Sequence, residues 1–566
     1  MASIDSQVLF ITTSPRTPAK MVPEIELLIK NFAGKEWNKE SQCAFMEILR
    51  EEDFYNGKGA NDPSFSARDR INRAPKSLGF VTLSPTIQIT PAGEALIKAK
   101  NKEEVFLRQM LKFQIPSPYH KPTAKAAKFC VKPYLEILRL IRHLGTLKFD
   151  ELQLFGMQLT DYHDFEEIVK KIETFRILKA KNAGKYKAFK DDYLKNELKS
   201  IYSKRIADGD TKTRESNDSS LKKFLYTQSS NMRDYADACF RYLRATGLVN
   251  VSHIGKSLSI IPSRTEDVDY ILNSVNREPC YINDEQQYIA YLGNAEIPRL
   301  ITDNKEKIIA RIKQEFHELI KKEKIKFDIH TPLPDLKEIL SNLILLRKKI
   351  TIREEIKTIK DFQKYDEINN TFEQIINKEI YDAPLMLEYN IWRAMTMLDG
   401  GNIKANLNFD DFGKPLSTAA GNMADIICDY EDFKLSVEVT MATGQKQYDM
   451  EGEPVSRHLG KLKKTTEKPC YCLFVAPSIN EACVAHFFAL HKMNISYYGG
   501  KSVIIPLPLD VFRKMVDDSY RASYIPKSSQ LKRIFEYSAS IASNCDSETE
   551  WHEKIQQTAM NWLAKS

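Results

Sequence analysis

The sequence predicts a mixed fold, α/β in its C-terminal part and α-rich before it, and three observations support this prediction. In the first 280 residues a helix followed by a short strand pair recurs three times, which is typical of winged helices. From 297 to about 379 the pattern is helical and densely charged, which predicts a linker of solvated helices. After that, apolar runs of strand length alternate with helices, which indicates an α/β order.

The three helix-plus-strand patterns lie at 68–97, 133–176 and 231–261. The first combines a basic helix that ends at Gly79 with strands on either side of a turn at Ser84-Pro85. The second has an apolar helical stripe, Gly145 and a new helix from Phe149. The third has a helix followed by a hairpin around Gly255. Winged helices place a helix in the major groove of DNA but also serve as protein-binding scaffolds, so the pattern alone leaves both roles open.

Composition and charge narrow the class of protein. The net charge of +7 is mildly basic, which fits a polyanion partner without requiring one. Nine scattered cysteines argue against a disulfide framework and for a reducing compartment, and the Cys470/Cys472 pair lies in an apolar run typical of a buried strand. Because there is no signal-peptide pattern and no apolar run of roughly 20 residues, we expect a soluble, cytoplasmic protein.

Three carboxylates lie close together in the C-terminal part: Asp425, Glu438 and Glu451. Asp425 opens a strand and Glu438 lies in the next one, beyond a tight turn at 430–433, and paired antiparallel strands can bring two such side chains onto one face. A carboxylate among Val, Ile and Leu is costly unless it is paired or binds a metal. One such acid alone would suggest a salt bridge at a strand edge. The cluster instead favours a site for Mg²⁺, which prefers oxygen ligands and serves phosphodiester cleavage.

The segments around these acids, and others far from them, resemble a known family. They are Gly421-Asn-Met-Ala-Asp425, Tyr430-Glu-Asp-Phe433, Glu438-Val-Thr440, Met450-Glu-Gly-Glu-Pro-Val-Ser-Arg-His458, Ser14-Pro-Arg-Thr-Pro18, Ala67-Arg-Asp-Arg70, Arg233-Asp-Tyr-Ala-Asp237 and Cys472-Leu-Phe-Val-Ala-Pro477. Together they resemble the AlwI-type family of type IIS restriction endonucleases, which includes site-specific nicking endonucleases. The resemblance covers nearly the whole chain. It implies a PD-(D/E)xK-type nuclease domain with a mixed central sheet.

The resemblance also implies a set of catalytic residues: Glu388, Asp425, Glu438, Glu451 and His458. Asp425 and Glu438 would be the metal ligands, with Mg²⁺ as the cofactor and Mn²⁺ as a substitute. One position departs from the wider nuclease pattern, because Thr440 stands where a lysine is usual. That lysine positions the water and stabilises charge. Glu451, Gln447 or Lys446 would have to serve instead, and the sequence does not choose among them.

The N-terminal half would recognise DNA, and five basic residues are its candidates for base or phosphate contacts: Arg16, Arg68, Arg70, Arg73 and Lys76. Arginine reads guanine through two hydrogen bonds and also binds phosphates. For Arg70, an ion pair with an acid of its own helix is an equally good interpretation. Lys112 and Lys132 are expected to be ordinary surface charges.

These inferences divide the chain into four regions. Residues 1–125 form a winged-helix-like recognition subdomain, 126–290 a second recognition region with winged-helix-like modules, 291–380 a helical linker and 381–566 the nuclease domain. The resemblance implies that cleavage falls a short distance outside an asymmetric duplex site, and some members of the family recognise GAGTC-like sites. One metal site cuts one strand, so double-strand cleavage would need a second chain or a small catalytic subunit, and a nicking enzyme fits equally well.

Two other functions are compatible with part of the sequence. A sequence-specific DNA-binding regulator with an inactive nuclease-like domain would explain the winged helices and the basic charge, but not the acid set. An RNA-processing nuclease would need exposed aromatic side chains arranged to stack on single-stranded bases, and the sequence shows none convincingly arranged.

Overall fold

The chain divides into two units, Met1–Glu51 with Gly57–Leu343 and Glu52–Asn56 with Ile344–Ser566. The structure is a computed structural model that describes residues 2–52, 54–55, 62–213, 216–399, 401–419, 421 and 423–564. Within these ranges, no helix is both long enough and apolar enough to cross a membrane. The mixture of helices and strands confirms the predicted mixed α/β class.

The first unit is mostly helical. Its strands are β1 (Ala2–Ile4), β2 (Val81–Thr82), β3 (Gln88–Ile89), β4 (His120–Pro122), β5 (Thr146–Lys148), β6 (Val249–Ser252) and β7 (Ser257–Ile260). Its helices are α1 (Met21–Phe32), α2 (Lys39–Glu51), α3 (Pro63–Ile71), α4 (Ala74–Ser77), α5 (Pro91–Lys98), α6 (Glu103–Lys112), α7 (Pro133–Leu144), α8 (Phe149–Leu154), α9 (Phe165–Lys181), α10 (Tyr186–Ile201), α11 (Ser203–Ala207), α12 (Leu221–Arg244), α13 (Thr265–Ser274), α14 (Glu285–Gly293), α15 (Lys305–Glu315) and α16 (His317–Glu323).

The helix-plus-hairpin elements predicted at 68–97 and 231–261 are present. The antiparallel pair β2–β3 follows α3 and α4, and the pair β6–β7 follows α12. Gly79, just after α4, has a φ of +78°, and an added Cβ would lie 2.6 Å from the Leu292 Cβ, so the position favours glycine. Whether these modules are winged helices in the functional sense stays a prediction.

The second and third patterns share one sheet. β5 pairs with β7, so one three-stranded sheet, in the order β5-β7-β6, joins the two segments. A strand of three residues is not stable alone, and its hydrogen-bonding partner lies more than 100 residues further along the chain.

Lys112 and Lys132 are buried, so the expectation of surface charges was wrong. The Lys112 ammonium donates to the backbone carbonyls of Tyr291, Leu292 and Asn294 at 3.2, 2.8 and 2.6 Å. The Lys132 ammonium donates to the carbonyl of Asn276 at 2.8 Å. Carbonyl acceptors allow a lysine to be buried, and here they come from chain segments distant in sequence.

The second unit is built around a five-stranded sheet. Its strands are β8 (Asn402–Ala405), β9 (Asn408–Phe409), β10 (Pro415–Ser417), β11 (Ile426–Asp429), β12 (Lys434–Val439), β13 (Cys470–Ala476) and β14 (Ile504–Pro508). Helix α17 (Leu333–Lys360) begins in the first unit, and the remaining helices are α18 (Tyr365–Ile376), α19 (Ala383–Asp399), α20 (Gln445–Lys463), α21 (Glu481–Lys492), α22 (Leu509–Arg521), α23 (Ser528–Ile541) and α24 (Glu548–Met560).

The sheet is mixed, with the strand order β14-β13-β12-β11-β8. The pairs β12–β13 and β13–β14 are parallel, whereas β11 runs antiparallel to both β12 and β8. β13 is buried throughout, so Cys470 and Cys472 are interior strand residues as predicted, and all nine cysteines are free thiols. β14 lies at an edge of the sheet, where neighbouring helices bury Ile504, Ile505 and Leu507.

Candidate active site

Asp425 and Glu438 face each other across the antiparallel pair β11–β12. The register pairs Ile426 with Val437, so one step further along places Asp425 opposite Glu438. Directly opposed residues of an antiparallel pair share a face of the sheet, with Cβ atoms about 5 Å apart. The Asp425 carboxylate also accepts a hydrogen bond from the Val439 backbone N–H at 2.7 Å. The predicted meeting of these two acids is therefore present.

Glu388 reaches the same place from helix α19. Its side chain is buried among the apolar residues of that helix, and its carboxylate accepts a hydrogen bond from the Ala419 backbone N–H at 2.9 Å. Burial raises the pKa of Glu388 well above its ordinary value, and the negative charge of Asp425 raises it further.

Helix α20 supplies Glu451 and His458 to the same centre. The two residues are seven positions apart, which puts them on one face of the helix. His458 Nδ1 lies 3.0 Å from Glu438 Oε1, and both side chains are largely buried. Glu451 accepts a hydrogen bond from the Thr440 hydroxyl at the end of β12. All five predicted catalytic residues therefore converge, and Thr440 joins them.

The electrostatics of this centre favour the neutral forms of its groups. Burial raises the pKa of Asp425 and Glu438 well above their ordinary values, and the neighbouring carboxylates Glu438 and Glu451, respectively, add to the effect. Burial also raises the pKa of Glu451. The pKa of His458 falls to about 4 because the ring is buried and because Arg457 and Lys461 carry like charge. Its Nε2 is buried with no hydrogen-bond partner among the described residues.

Two of the residues proposed to replace the usual lysine differ in their surroundings, because Gln447 is buried and Lys446 is exposed. The Gln447 amide is fully buried: its Nε2 donates to the carbonyls of Ala442 and Ser478, each at 2.9 Å, and its Oε1 accepts from the Asn480 N–H at 2.7 Å. Its polar groups are thus occupied in tying the start of α20 to the loops after β12 and β13. Thr440 instead hydrogen-bonds to Glu451, the third residue proposed for this role.

The described residues offer a metal ion pairs of carboxylates and no larger group of ligands. Among the described residues, no three His, Cys, Asp or Glu side chains are arranged to hold one ion. A pair of carboxylates is nevertheless compatible with Mg²⁺, which commonly binds one or two carboxylates and keeps several waters. Within the same residues, the hydrogen-bond partners of the four acids are backbone N–H groups, a hydroxyl and a histidine that is neutral above about pH 4. Such a cluster fits a divalent cation chemically.

The five candidate DNA-binding residues lie in the first unit, and their contacts differ. Arg70 forms an ion pair with the buried Glu24 of α1, not with an acid of its own helix. The Lys76 ammonium lies 4.3 Å from the centre of the Tyr119 ring. Arg68 is exposed, with its guanidinium 5.9 Å from the centre of the Phe65 ring.

Arg16 and Arg73 each form an ion pair with an aspartate, at 3.2 Å to Asp234 and 2.6 Å to Asp69. Neither aspartate was predicted as a partner from the sequence. The spacing of four residues between Asp69 and Arg73 on a helix could have revealed the second pair. No sequence signal connects Arg16 with Asp234.

Comparison with known proteins gave one family match and several solved structures. No curated protein matches the chain. The small subunit of the heterodimeric restriction endonuclease R.BspD6I is 28% identical, with 34% of this chain and 98% of that chain covered and a TM-score of 0.30. The BpuJ1 endonuclease binding domain, solved with pyrene- and phenanthrene-modified DNA, is 14% identical, with coverages of 48% and 92% and a TM-score of 0.31. Restriction endonuclease FokI is 11% identical, with coverages of 93% and 98% and a TM-score of 0.25.

The family match covers residues 76–515 and is described as AlwI restriction endonuclease. This range includes every residue of the acidic centre, from Glu388 to His458. Because the match spans well over half of the 566 residues, the chain belongs to the AlwI restriction endonuclease family.

Proposed function

We propose that this protein is a type IIS-like restriction endonuclease or a site-specific nicking endonuclease. It hydrolyses one DNA phosphodiester bond per active site, a short distance outside an asymmetric duplex site. The observation that carries this proposal is the buried acid cluster, in which Asp425 and Glu438 oppose each other and Glu388 and Glu451 join them. A buried cluster of this kind destabilises the fold unless a cation enters it.

The proposal assigns the catalytic centre to a PD-(D/E)xK-type nuclease domain at 381–566. A helical linker at 291–380 would precede it, and winged-helix-like recognition regions at 1–125 and 126–290 would bind duplex DNA. A GAGTC-like sequence is the first recognition site to test. A cytoplasmic location is part of the proposal, because DNA is the substrate and the nine cysteines are free thiols.

Asp425 and Glu438 would hold Mg²⁺, with Mn²⁺ as a substitute. When bound, the ion supplies charge stabilisation at the scissile phosphate and a water of lowered pKa. The chain's own groups orient this centre. His458 Nδ1 holds the Glu438 carboxylate at 3.0 Å, and the Thr440 hydroxyl holds Glu451. Burial raises the pKa of Glu451, which makes its carboxylate a stronger proton acceptor for the attacking water.

A single acidic centre cuts a single strand. The proposal therefore predicts nicking by the isolated chain, and double-strand cleavage only with a second copy or a small catalytic subunit. The discriminating substrate is supercoiled plasmid, because one nick converts it to the relaxed circle and paired cuts give linear DNA.

The test compares the parent protein with Glu438→Gln and with Asp449→Asn on supercoiled plasmid in Mg²⁺ or Mn²⁺. Asp449 is exposed on the same helix as Glu451 and serves as the matched control. Discrete nicked or linear product from the parent and the control, but not from Glu438→Gln, supports the proposal, and run-off sequencing then maps site and offset. Absence of cleavage with both ions, together with sequence-specific binding, would favour the regulator with an inactive nuclease-like domain.

A further inference from the structure

Two of the five basic candidates in the first unit, Arg16 and Arg73, are partly exposed, at 54% and 41%, and are each held by an aspartate. Arg68 is exposed too, but among the described residues its Nε donates only to the backbone carbonyl of Ser64, at 3.4 Å. Arg70 instead pairs with a carboxylate that is 5% exposed, so its charge stabilises the interior of the unit. Burial lowers the pKa of Lys76, whose ammonium lies against an aromatic ring.

The two ion pairs are joined by one short loop. At one end of the loop, the Arg73 Nη1 donates to the Thr13 hydroxyl at 3.4 Å. At the other end, Arg16 contacts Asp234 on α12. Between them, the Tyr242 hydroxyl donates to the Pro15 carbonyl at 2.9 Å and anchors the loop to the same helix. This segment is called the 13–16 loop below.

The length of the 13–16 loop limits the number of base pairs that it could span. Three Cα–Cα steps span at most about 11 Å, which corresponds to roughly three base-pair steps of about 3.4 Å. Two arginines connected over this distance can reach neighbouring base pairs of one groove.

The chemistry of each pair suits the reading of bases more than the stability of the fold. An exposed ion pair contributes little to folding, because water already solvates both charges. Its aspartate does, however, restrict the arginine, and a guanidinium carries five N–H donors in a planar fork, so donors remain for the O6 and N7 atoms of guanine. The partly exposed Asp69 and Asp234 can accept from a cytosine amino group.

We propose that the Arg16–Asp234 and Arg73–Asp69 pairs, joined by the 13–16 loop, form a specificity-determining surface that reads adjacent G·C base pairs in duplex DNA. This inference rests on the proposed function, because it names the part of the first unit that recognises the substrate. It assigns Arg70 and Lys76 to stabilising the unit itself.

The test is selection from a pool of random DNA duplexes by the full-length parent, Arg16→Lys and Arg73→Lys. Lysine keeps the positive charge but lacks the planar fork, so it separates base reading from phosphate binding. Arg142→Lys is the matched control, because Arg142 pairs with Asp269 at 2.7 Å with similar exposure, 43% and 44%, elsewhere in the same unit.

We expect the parent and Arg142→Lys to select the same sequence. Arg16→Lys and Arg73→Lys should each lose the preference at one or two neighbouring G·C pairs, with about tenfold to hundredfold weaker binding to the parent's selected duplex. Binding to a scrambled duplex at low salt should change less than about twofold. An unchanged selected sequence in both variants, a uniform loss on selected and scrambled duplexes, or a parent that selects no sequence would each overturn the proposal.

Selection does not depend on cleavage, so it fails separately from the proposed function. A parent that selects a sequence but cuts no plasmid refutes the nuclease proposal and leaves the specificity surface standing. A parent that cuts while both lysine variants select its unchanged sequence refutes the specificity surface alone.

Discussion

If the proposed function is right, replacing Asp425 by asparagine should stabilise the metal-free second unit while abolishing cleavage. Asp425 and Glu438 occupy opposed positions with Cβ atoms about 5 Å apart, and two carboxylates at a similar separation repel by about 3 kcal/mol at an effective dielectric constant of about 20. Asparagine removes this repulsion and keeps an oxygen that can accept from the Val439 N–H. We therefore expect the free energy of unfolding to rise by about 1–3 kcal/mol.

The gain in the free energy of unfolding should increase with pH. Because the pKa of Asp425 is raised above its ordinary value of 3.8, the folded protein binds more protons than the unfolded chain above that pH. The stability of the parent therefore falls as the pH rises from about 4 towards the folded-state pKa. Asp425→Asn does not lose stability in this way. Its free energy of unfolding should therefore exceed that of the parent only slightly near pH 4, and by the full amount once the pH exceeds the raised pKa of Asp425.

The assay is thermal unfolding in a metal chelator at several pH values. For a unit of this size, a gain of 1–3 kcal/mol corresponds to a rise of about 3–10 °C in Tm. Asp449→Asn, exposed on α20, should stay within about 0.5 kcal/mol of the parent at every pH. Added Mg²⁺ should stabilise the parent more than Asp425→Asn. An unchanged or lower Tm of Asp425→Asn at the alkaline end, with the control behaving as stated, would refute the reasoning.

Three further predictions concern single side chains. Gln447→Leu should destabilise the second unit by about 2 kcal/mol in denaturant unfolding, because three partly buried backbone hydrogen bonds are lost, whereas Gln445→Leu, at an exposed position, should change little. Thr440→Val should move the acidic limb of the cleavage pH profile to higher pH, because the hydroxyl lowers the pKa of Glu451; an unmoved limb would contradict that role. Burial lowers the pKa of Lys112 from 10.5 to about 7. Between these pH values the folded protein therefore binds fewer protons than the unfolded chain. The free energy of unfolding of the parent should rise over this range by on the order of 3 kcal/mol. Lys112→Met should lack this rise in chemical unfolding at pH 7 and pH 10, and equal slopes in the two proteins would contradict the assignment.

Features of the second unit that depend on local sequence could be predicted. The strands on either side of the turn at 430–433 were evident from apolar runs of strand length, and they bring Asp425 and Glu438 together through a register that a four-residue turn sets. Glu388, Glu451 and His458 were assigned only through the family resemblance. Their convergence depends on how α19 and α20 pack on the sheet, which residue spacing does not reveal.

The sequence by itself determined the mixed α/β class, the helix-plus-hairpin elements, the antiparallel pair that bears the first two acids and the family, because each of these depends on neighbouring residues or on motifs. The tertiary structure alone decided which strand pairs with β5, that β14 lies at an edge, and that the Gln447 side chain hydrogen-bonds to backbone groups of two loops. It also decided that Lys112 is buried and that Arg16 pairs with Asp234, across separations of about 180 and 220 residues. The physical reason is that hydrogen bonds and ion pairs between distant segments form only when packing brings those segments together. A local sequence pattern does not predict which distant segments will be in contact.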